Sequence, residues 1–163
     1  MQAARRGLEE YCDTDSSYPV ISVKCRIGVF ESETDMRSLG DDAYEFLKDY
    51  VSMIHQNGGN HVILHARPAV LSGLSPVKNR IVPTLDYGFV ETIAAEFEGK
   101  MDITLNGGIT TLSRLRSFRE DSNGSKSAIS GHMAGRWFLR RPLDLIWVED
   151  LLRGEEAASG IAR

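Results

Sequence analysis

Strand patterns alternate with amphipathic helix patterns along most of this chain. The strand patterns cover residues 20–26, 61–64, 101–106 and 128–136, and after each one apolar residues recur at three- and four-residue spacing. Such alternation builds parallel sheets with right-handed crossovers. It predicts an α/β fold whose strands all end at one edge of a sheet, which is where parallel α/β proteins bind ligands.

The helix limits follow from capping residues. Asp41 or Asp42 is suited to cap the helix that follows the first strand, and Asn57 begins the turn that ends it. Pro142 is suited to the first turn of a closing helix. Residues 29–42 are predicted to form a long acidic loop, and a helix is predicted to end near Cys12.

Residues 65–80, which we call the cationic loop, directly follow the second strand pattern. They supply one histidine, three cationic side chains and one amide within sixteen residues. Connections in compact domains are usually about 4–6 residues long, and long loops after strands tend to carry sites. We therefore expect the floor of an anion-binding pocket, with candidate residues His65, Arg67, Lys78, Asn79 and Arg80.

Two glycine-containing turns follow the last two strand patterns. Asn106, Gly107 and Gly108 lead into a helix pattern, and Gly135 and Arg136 close the fourth strand pattern. Glycine lets the backbone approach an anion, and a helix N-terminus supplies free N–H groups. Many (β/α)8 barrels bind phosphate with the loops after their last two strands. Together the two turns predict a phosphate site, although a plain turn explains the Gly-Gly pair equally well.

Lys24 and Arg26 share one face of the first strand pattern, because side chains alternate along a strand. Lys24 is suited to act as a Schiff-base lysine, a general acid or a fixed charge beside an electron-rich cofactor, and a solvated lysine is the structural alternative. Cys25 points the other way and is interpreted as a buried structural thiol. His65 and Arg67, two residues apart on one predicted strand face, favour a binding role.

Composition limits the class of protein. A net charge of −4 over 163 residues argues against coating nucleic acid by bulk charge, but not against a local basic groove. The two cysteines form no CxxC motif, and we find no zinc-ligand spacing and no Ser-His-Asp arrangement. No apolar run approaches the roughly 20 residues of a membrane span. We expect one soluble domain without a metal, in the cytoplasm or an organelle.

A set of motifs, taken in order, is characteristic of one family. They are Val23-Lys24-Cys25-Arg26-Ile27-Gly28, then His65-Ala66-Arg67, Gly73-Leu74-Ser75-Pro76 and Lys78-Asn79-Arg80 of the cationic loop, then Pro83-Thr84-Leu85-Asp86-Tyr87, Asn106-Gly107-Gly108-Ile109 and Met133-Ala134-Gly135-Arg136. In order and spacing they resemble the A-type tRNA-dihydrouridine synthases. The likeness extends from about Pro19 to Leu152, and the cationic loop is its most specific part.

The resemblance implies a flavoprotein oxidoreductase, an FMN-containing (β/α)8 barrel of the TIM-barrel type that reduces uridines in the tRNA D-loop with NADPH. It assigns Lys24 and His65 to the flavin ring. It assigns the phosphate end of FMN to Asn106, Gly107, Gly108, Gly135 and Arg136. It places near the flipped uridine and the tRNA backbone Arg26, Arg67, Lys78, Asn79 and Arg80. These roles agree with general chemistry, since a base must leave its stack to reach a cofactor and cations hold the neighbouring phosphates.

The resemblance also implies that parts of the family's fold lie outside this sequence. The family's catalytic cysteine, which protonates uracil opposite the flavin hydride, follows the fourth barrel strand, and neither Cys12 nor Cys25 matches its motif. We therefore expect the second half of a barrel, with four βα units and without that acid, the true N-terminus or the helical tRNA-binding domain. The expected organisation is a helix end and linker over residues 1–18, the half barrel over 19–153 and a frayed tail over 154–163.

A half barrel exposes two parallel sheet edges, which invite pairing with a missing N-terminal half or with a second copy. Two other classes of function stay open. Another FMN- or phosphate-binding barrel oxidoreductase would keep the glycine turns but would not need Lys78 and Arg80. A non-catalytic remnant would bind RNA, or assemble through its edges, without oxidising NADPH.

Overall fold

The computed structural model describes residues 1–11, 21–36, 40–118 and 127–153. In chain order the elements are α1 (Gln2–Tyr11), β1 (Ser22–Arg26), β2 (Val29–Phe30), α2 (Asp41–Gln56), β3 (His61–His65), β4 (Ala69–Val70), a 3-10 helix (Lys78–Arg80), α3 (Tyr87–Glu96), β5 (Asp102–Asn106), α4 (Leu112–Arg116), β6 (Gly131–Met133), α5 (Gly135–Arg140) and α6 (Asp144–Arg153). They belong to two compact units, Met1–Gly107 with Ala128–Met133 and Gly108–Ser127 with Ala134–Arg163.

The first unit is built on a four-stranded sheet of order β1-β3-β5-β6. Every neighbouring pair in it is parallel. The predicted α/β fold with a parallel sheet is therefore confirmed. Parallel strands that neighbour one another in chain order are the arrangement found in half of a (β/α)8 barrel.

Alternating side chains give this sheet two faces of different chemistry. One face carries Val62, Leu64, Ile103 and Leu105, which are fully buried. The helix α3 packs against β5 and buries Val90, Ile93 and Ala94, while α2 buries Leu47, Val51 and Ile54. The core of the first unit thus lies between this apolar face and the helices.

The opposite face, which we call the polar face, carries two rows of side chains in register. One row is Lys24, Ile63, Thr104 and Gly131, and the next row toward the strand ends is Arg26, His65, Asn106 and Met133. Lys24 is exposed, and Thr104 and Asn106 are half-buried. A sheet face with this composition is suited to meet a polar ligand rather than a helix.

The prediction of a loop over residues 29–42 is wrong at both ends, because Val29 and Phe30 form β2 and α2 begins at Asp41. This strand pairs in parallel with β4, which lies within the cationic loop. The pairing continues past the strands, where the Ser72 backbone N donates to the Glu31 carbonyl at 2.9 Å. The cationic loop is therefore an ordered segment tied to the residues that follow β1.

The helix α2 starts differently from the sequence prediction. The N-cap of α2 is Gly40, and no side chain caps that end, so the prediction that Asp41 or Asp42 caps it is wrong. Glycine is itself a good N-cap residue, and the helix simply begins one residue earlier. In contrast, Asp86 caps α3, and its carboxylate accepts a hydrogen bond from the Phe89 backbone N at 2.9 Å.

The second unit contains α4, α5 and α6, and α4 packs against α6. The buried Trp137 donates from its indole Nε1 to Asp144 at 2.7 Å, and Arg141 pairs with the same carboxylate at 3.2 Å. The strand predicted over residues 128–136 is wrong at both ends, since β6 covers only Gly131–Met133 and Gly135 begins α5. The backbone turns at Ala134, and the next residues make helical hydrogen bonds instead of extending the sheet.

Some predictions concern residues 12–20, with Cys12 among them, residues 37–39 of the predicted acidic loop, and residues 154–163, all of which lie outside the described residues. The predicted division into residues 1–18, 19–153 and 154–163 stays a prediction. No helix among the described residues is long and apolar enough to cross a membrane.

Candidate functional site at the strand ends

Three polar side chains end neighbouring strands and lie in one row of the polar face. Arg26 of β1 is opposite His65 of β3, and His65 is opposite Asn106 of β5. Neighbouring strands of a sheet lie about 4.8 Å apart, and residues in register point to the same side. The predicted meeting of strand ends at one edge is confirmed for β1, β3 and β5.

Lys24 lies on the same face as Arg26, one row further from the edge, and its side chain is exposed. Cys25 shares its register with the buried Leu64 and so belongs to the apolar face. Burial raises the pKa of the Cys25 thiol to about 11, although the nearby Lys24 charge acts in the opposite direction. The thiol is therefore protonated and unreactive at neutral pH, which agrees with its interpretation as a structural residue.

His65 is buried, with 9% of its surface exposed, and its ring packs directly on the backbone of Gly107. A Cβ at Gly107 would lie 2.7 Å from His65 Cδ2 and 2.9 Å from Leu85 Cδ2. The φ angle of Gly107 is +117°, which also favours glycine. Tyr87 donates from its hydroxyl to the Gly107 carbonyl at 3.2 Å. Gly107 therefore permits the close packing that fixes the His65 ring.

Arg67 does not share a strand face with His65, so that prediction is wrong. The strand ends at His65, and Arg67 lies in the bend that follows. Its Nη1 donates to the Ile81 carbonyl at 2.7 Å. Arg67 thus spans the cationic loop from its beginning to the residue that follows the 3-10 helix.

The cationic loop is held in place by side chains that the family resemblance placed near the uridine and the tRNA. Arg26 donates from Nη1 to the carbonyls of Pro68 and Asn79, at 2.7 and 3.0 Å. The Asn79 amide accepts from the Val70 backbone N at 3.1 Å and donates to the Val70 carbonyl. These bonds fold the loop back onto the end of β1. Whether the same residues also contact substrate stays a prediction.

The surface of this loop concentrates positive charge. Lys78 and Arg80 are exposed. The pKa of Arg26 is lowered, first by burial and then by repulsion from Arg80, so these two guanidinium groups are near each other. Since Arg stays protonated at physiological pH, the surface favours an anion. The anion-binding role predicted for this loop stays a prediction.

The predicted phosphate residues are divided between the two units. In the first unit, Asn106 donates from Nδ2 to the Met133 carbonyl at 2.8 Å, which ties β5 to β6 beside Gly107. In the second unit, Gly108 has a φ angle of +66°. Gly135 and Arg136 begin α5, and both are exposed. A joint phosphate site for these residues stays a prediction.

Sequence reasoning missed residues that support the site. Tyr87 and Leu85, which contact Gly107, lie in the motif of residues 83–87, but their spacing alone carries no sign of this role. The pairing of β2 with β4 was missed because strands of two residues have no periodicity to detect. Within the described ranges, no group of three or more His, Cys, Asp or Glu side chains is placed to hold a metal ion.

Comparison with known proteins adds independent support for one family. The sequence profile of the dihydrouridine synthase (Dus) family matches residues 19–157. The tRNA-dihydrouridine(20/20a) synthase of Shewanella oneidensis is 33% identical over 138 residues, which cover 85% of this chain and 36% of that protein. The enzyme of the same name from Pasteurella multocida is 35% identical over 139 residues, which cover 85% of this chain and 37% of that protein.

The chain spans little more than a third of the length of these relatives. A third relative, the tRNA-dihydrouridine(20/20a) synthase of Vibrio parahaemolyticus, is 35% identical over 84% of this chain and 37% of its own length. The matched region contains β1 to β6 and the whole cationic loop. The resemblance read from the motifs is therefore confirmed, and this chain belongs to the dihydrouridine synthase family.

Proposed function

We propose that this chain forms the flavin- and RNA-facing part of a tRNA-dihydrouridine synthase, an oxidoreductase that reduces uridine to 5,6-dihydrouridine in the tRNA D-loop with NADPH through FMN. Family membership and the activity named for the relatives support this proposal. The observation that carries it is the row Arg26, His65 and Asn106 at the edge of the polar face, next to the cationic loop.

The described residues of the polar face fit a flavin. The face offers the exposed ammonium of Lys24 and, one row on, the imidazole of His65 and the amide of Asn106. When bound, FMN would supply a hydride to uracil after its reduction by NADPH. The Lys24 cation would stabilise negative charge on the reduced ring, and the buried His65 would orient the ring.

The phosphate end of FMN is proposed to bind Asn106, Gly107, Gly108, Gly135 and Arg136. Gly107 and Gly108 both have positive φ angles, so their backbone takes a course that other residues rarely adopt. A Cβ added at Gly135 would meet no atom within 4 Å, so packing does not require glycine there. A glycine at this exposed position would let a ligand approach the backbone closely. The next residue, Arg136, would add a cation for the phosphate.

The cationic loop is proposed to meet the tRNA. Lys78 and Arg80 are exposed and suited to phosphate contacts, and Arg26 and Arg67 extend the positive surface toward the polar face. A uridine must leave the base stack to reach a flavin, and contacts to the flanking phosphates keep the strand in place while it does so. This explains why a chain with a net charge of −4 would bind RNA at one surface only.

The reduction adds a hydride and a proton across the C5=C6 bond of uracil, so it also needs a proton donor. Cys25 is unsuited to this role, because it belongs to the apolar face and its raised pKa keeps the proton bound. We propose that the donor comes from a segment that completes the barrel beside the open edges of this sheet. That segment is an N-terminal half barrel, because a second copy of this chain would bring only the same two cysteines.

Purification tests this proposal and separates it from the alternatives. The protein isolated from its source should retain flavin absorbance and should oxidise NADPH only when unmodified tRNA is added. Replacing Lys78 and Arg80 together by Gln should abolish the tRNA-dependent NADPH oxidation. Replacing Lys100, an exposed lysine after α3, by Gln should leave it unchanged.

Each alternative gives a different result. NADPH oxidation that is unaffected by tRNA or by the Lys78 and Arg80 changes would indicate another flavin-dependent oxidoreductase. Binding of tRNA without flavin or NADPH oxidation would indicate a non-catalytic RNA-binding protein. Absence of both flavin and tRNA-dependent oxidation would remove the proposed function.

A further inference from the structure

Asn79 differs in exposure from both of its neighbours in the 3-10 helix. Lys78 and Arg80 are exposed, whereas Asn79 is half-buried. A 3-10 helix has about three residues per turn, so consecutive side chains point in directions roughly a third of a turn apart. When the middle side chain is fixed inward, the side chains before and after it are directed away from the body of the protein.

The Asn79 amide binds β4 as a third strand would. On one side, β4 pairs with β2, since Ala69 N donates to Gly28 O at 2.8 Å and Leu71 N donates to Phe30 O at 2.9 Å.

The N–H and carbonyl of Val70 point to the other side, where the Asn79 amide accepts from one and donates to the other. A carboxamide carries both an acceptor and a donor, and so it can satisfy both groups of one residue. Asn79 therefore closes the outer edge of the β2–β4 sheet.

Arg26 holds the same point of the loop from the main sheet. Its Nη1 donates to the Asn79 backbone carbonyl at 3.0 Å and to the Pro68 carbonyl at 2.7 Å. Asn79 is thus fixed through its main chain by Arg26 and through its side chain by Val70, and Arg26 Nη1 also donates to Asn79 Oδ1 at 3.5 Å. In the described structure, both polar atoms of the Asn79 amide therefore bond to the backbone of the cationic loop.

We infer that Asn79 is the positioning residue of the cationic loop, and that it acts by turning Lys78 and Arg80 toward the tRNA rather than by contacting the tRNA itself. The consequence for RNA binding depends on the proposed function, whereas the consequence for the loop does not. This inference differs from the sequence-based expectation, in which Asn79 was grouped with the tRNA-contacting residues.

The first test measures the loop without RNA. Asn79→Leu keeps the size of the side chain but removes both hydrogen bonds. Hydrogen exchange at the Val70 amide should become about tenfold faster, and trypsin should cleave after Lys78 and Arg80 about tenfold faster. The amides of Leu64 and Leu105 in the main sheet should keep their exchange rates, which shows that the first unit is still folded.

Asn57→Leu is the matched control. Asn57 also donates from its side chain to a backbone carbonyl, that of Met53 at 2.8 Å, but it lies at the end of α2. This change should leave Val70 exchange and cleavage after Lys78 unaltered. Unchanged Val70 exchange in Asn79→Leu would overturn the inference. If Asn79→Leu fails to fold, Asn79→Ala, which also removes both hydrogen bonds to Val70, replaces it with the same expected direction.

The second test measures tRNA affinity against salt concentration. Lys78→Gln should lower the slope of log affinity against log salt by about 0.9 and leave Val70 exchange unchanged, because it removes one phosphate contact. Asn79→Leu should weaken tRNA binding only together with faster Val70 exchange. Weaker binding with unchanged exchange would show that Asn79 contacts the RNA directly and would overturn the inference. If the wild-type protein binds no tRNA, the proposed function fails, while the exchange result still decides the positioning role.

Discussion

Gly107 is the residue whose replacement tests the packing of the site most directly. Its added Cβ would meet both His65 and Leu85 at less than 3 Å, and its φ angle of +117° is unfavourable for other residues. Overpacking and backbone strain each cost about 1–3 kcal/mol. We expect Gly107→Ala to lower the free energy of unfolding by about 2–6 kcal/mol, measured by urea denaturation.

Two comparisons separate the contact from the backbone strain at Gly107. Gly99→Ala places a Cβ at a φ angle of +73° with no atom within 4 Å, so it should cost only about 1 kcal/mol. In a His65→Ala background the cost of Gly107→Ala should shrink, because the ring that the methyl group meets is gone. An equal cost in both backgrounds would contradict the packing of His65 on Gly107.

Cys25 gives a prediction about pH. Burial raises the pKa of its thiol from 9.0 to about 11, so the folded protein holds the proton more tightly than the unfolded chain does. Its contribution to stability is therefore complete below pH 9 and is lost as pH rises from about 9 to 11. Alkylation of Cys25 by iodoacetamide in the folded protein should be slow at pH 8 and should rise steeply above pH 10. Fast alkylation at pH 8 would show that the thiol is exposed or activated.

The helices α2 and α3 begin differently, so we expect the replacement of an aspartate at each start to have different effects on stability. Asp86 accepts a hydrogen bond at the start of α3, whereas α2 has no side-chain cap and Asp42 lies within its first turn. Asp86→Ala should lower the free energy of unfolding by about 1 kcal/mol. Asp42→Ala should cost only a few tenths of a kcal/mol, through the helix dipole. Urea denaturation of both variants decides this, and equal effects would contradict the assigned caps.

The elements also show how far sequence reasoning extends. The strands β3 and β5 and the helices α2 and α3 were predictable, because their apolar residues repeat at strand or helix spacing and bury one face. The helix α5 was missed because the pattern at residues 128–136 continues past the true end of β6. A short apolar run does not itself distinguish a strand from the first turn of a helix.

The candidate site divides in the same way. The meeting of Arg26, His65 and Asn106 was predictable, since it needs only parallel strands and the alternation of side chains. The inward direction of Asn79 was not predictable, because it depends on the pairing of β2 with β4. These two strands are far apart in sequence, and each is only two residues long. Residue type and strand alternation predicted which side chains share the edge of the sheet, whereas the partner of Asn79 depends on tertiary contacts.

At the level of the whole molecule, exposed apolar surface predicts association. Phe46, Tyr50 and Met53 form a stripe along α2, with exposed fractions of 67%, 39% and 60%. In the described sheet, β1 pairs only with β3 and β6 only with β5, so one edge of each outer strand is open. Open edges and apolar stripes both promote contacts between chains.

We therefore expect the 163-residue chain, purified alone, to form dimers or larger species in light scattering. Replacing Phe46 and Met53 by Glu should reduce their fraction, because it breaks the apolar stripe. The exposed Lys100→Gln change should leave the distribution as it is. A monodisperse monomer of the unaltered chain would contradict this prediction.

The polar face, the cationic loop and the family assignment together predict one chemical change in the cell. Disrupting the gene for this chain and measuring the nucleosides of total tRNA by mass spectrometry tests it most directly. We predict that dihydrouridine falls, that the wild-type gene restores it, and that a gene carrying Lys24→Ala does not. An unchanged dihydrouridine content in the disrupted strain, with no second gene of the same family present, would contradict the proposed function.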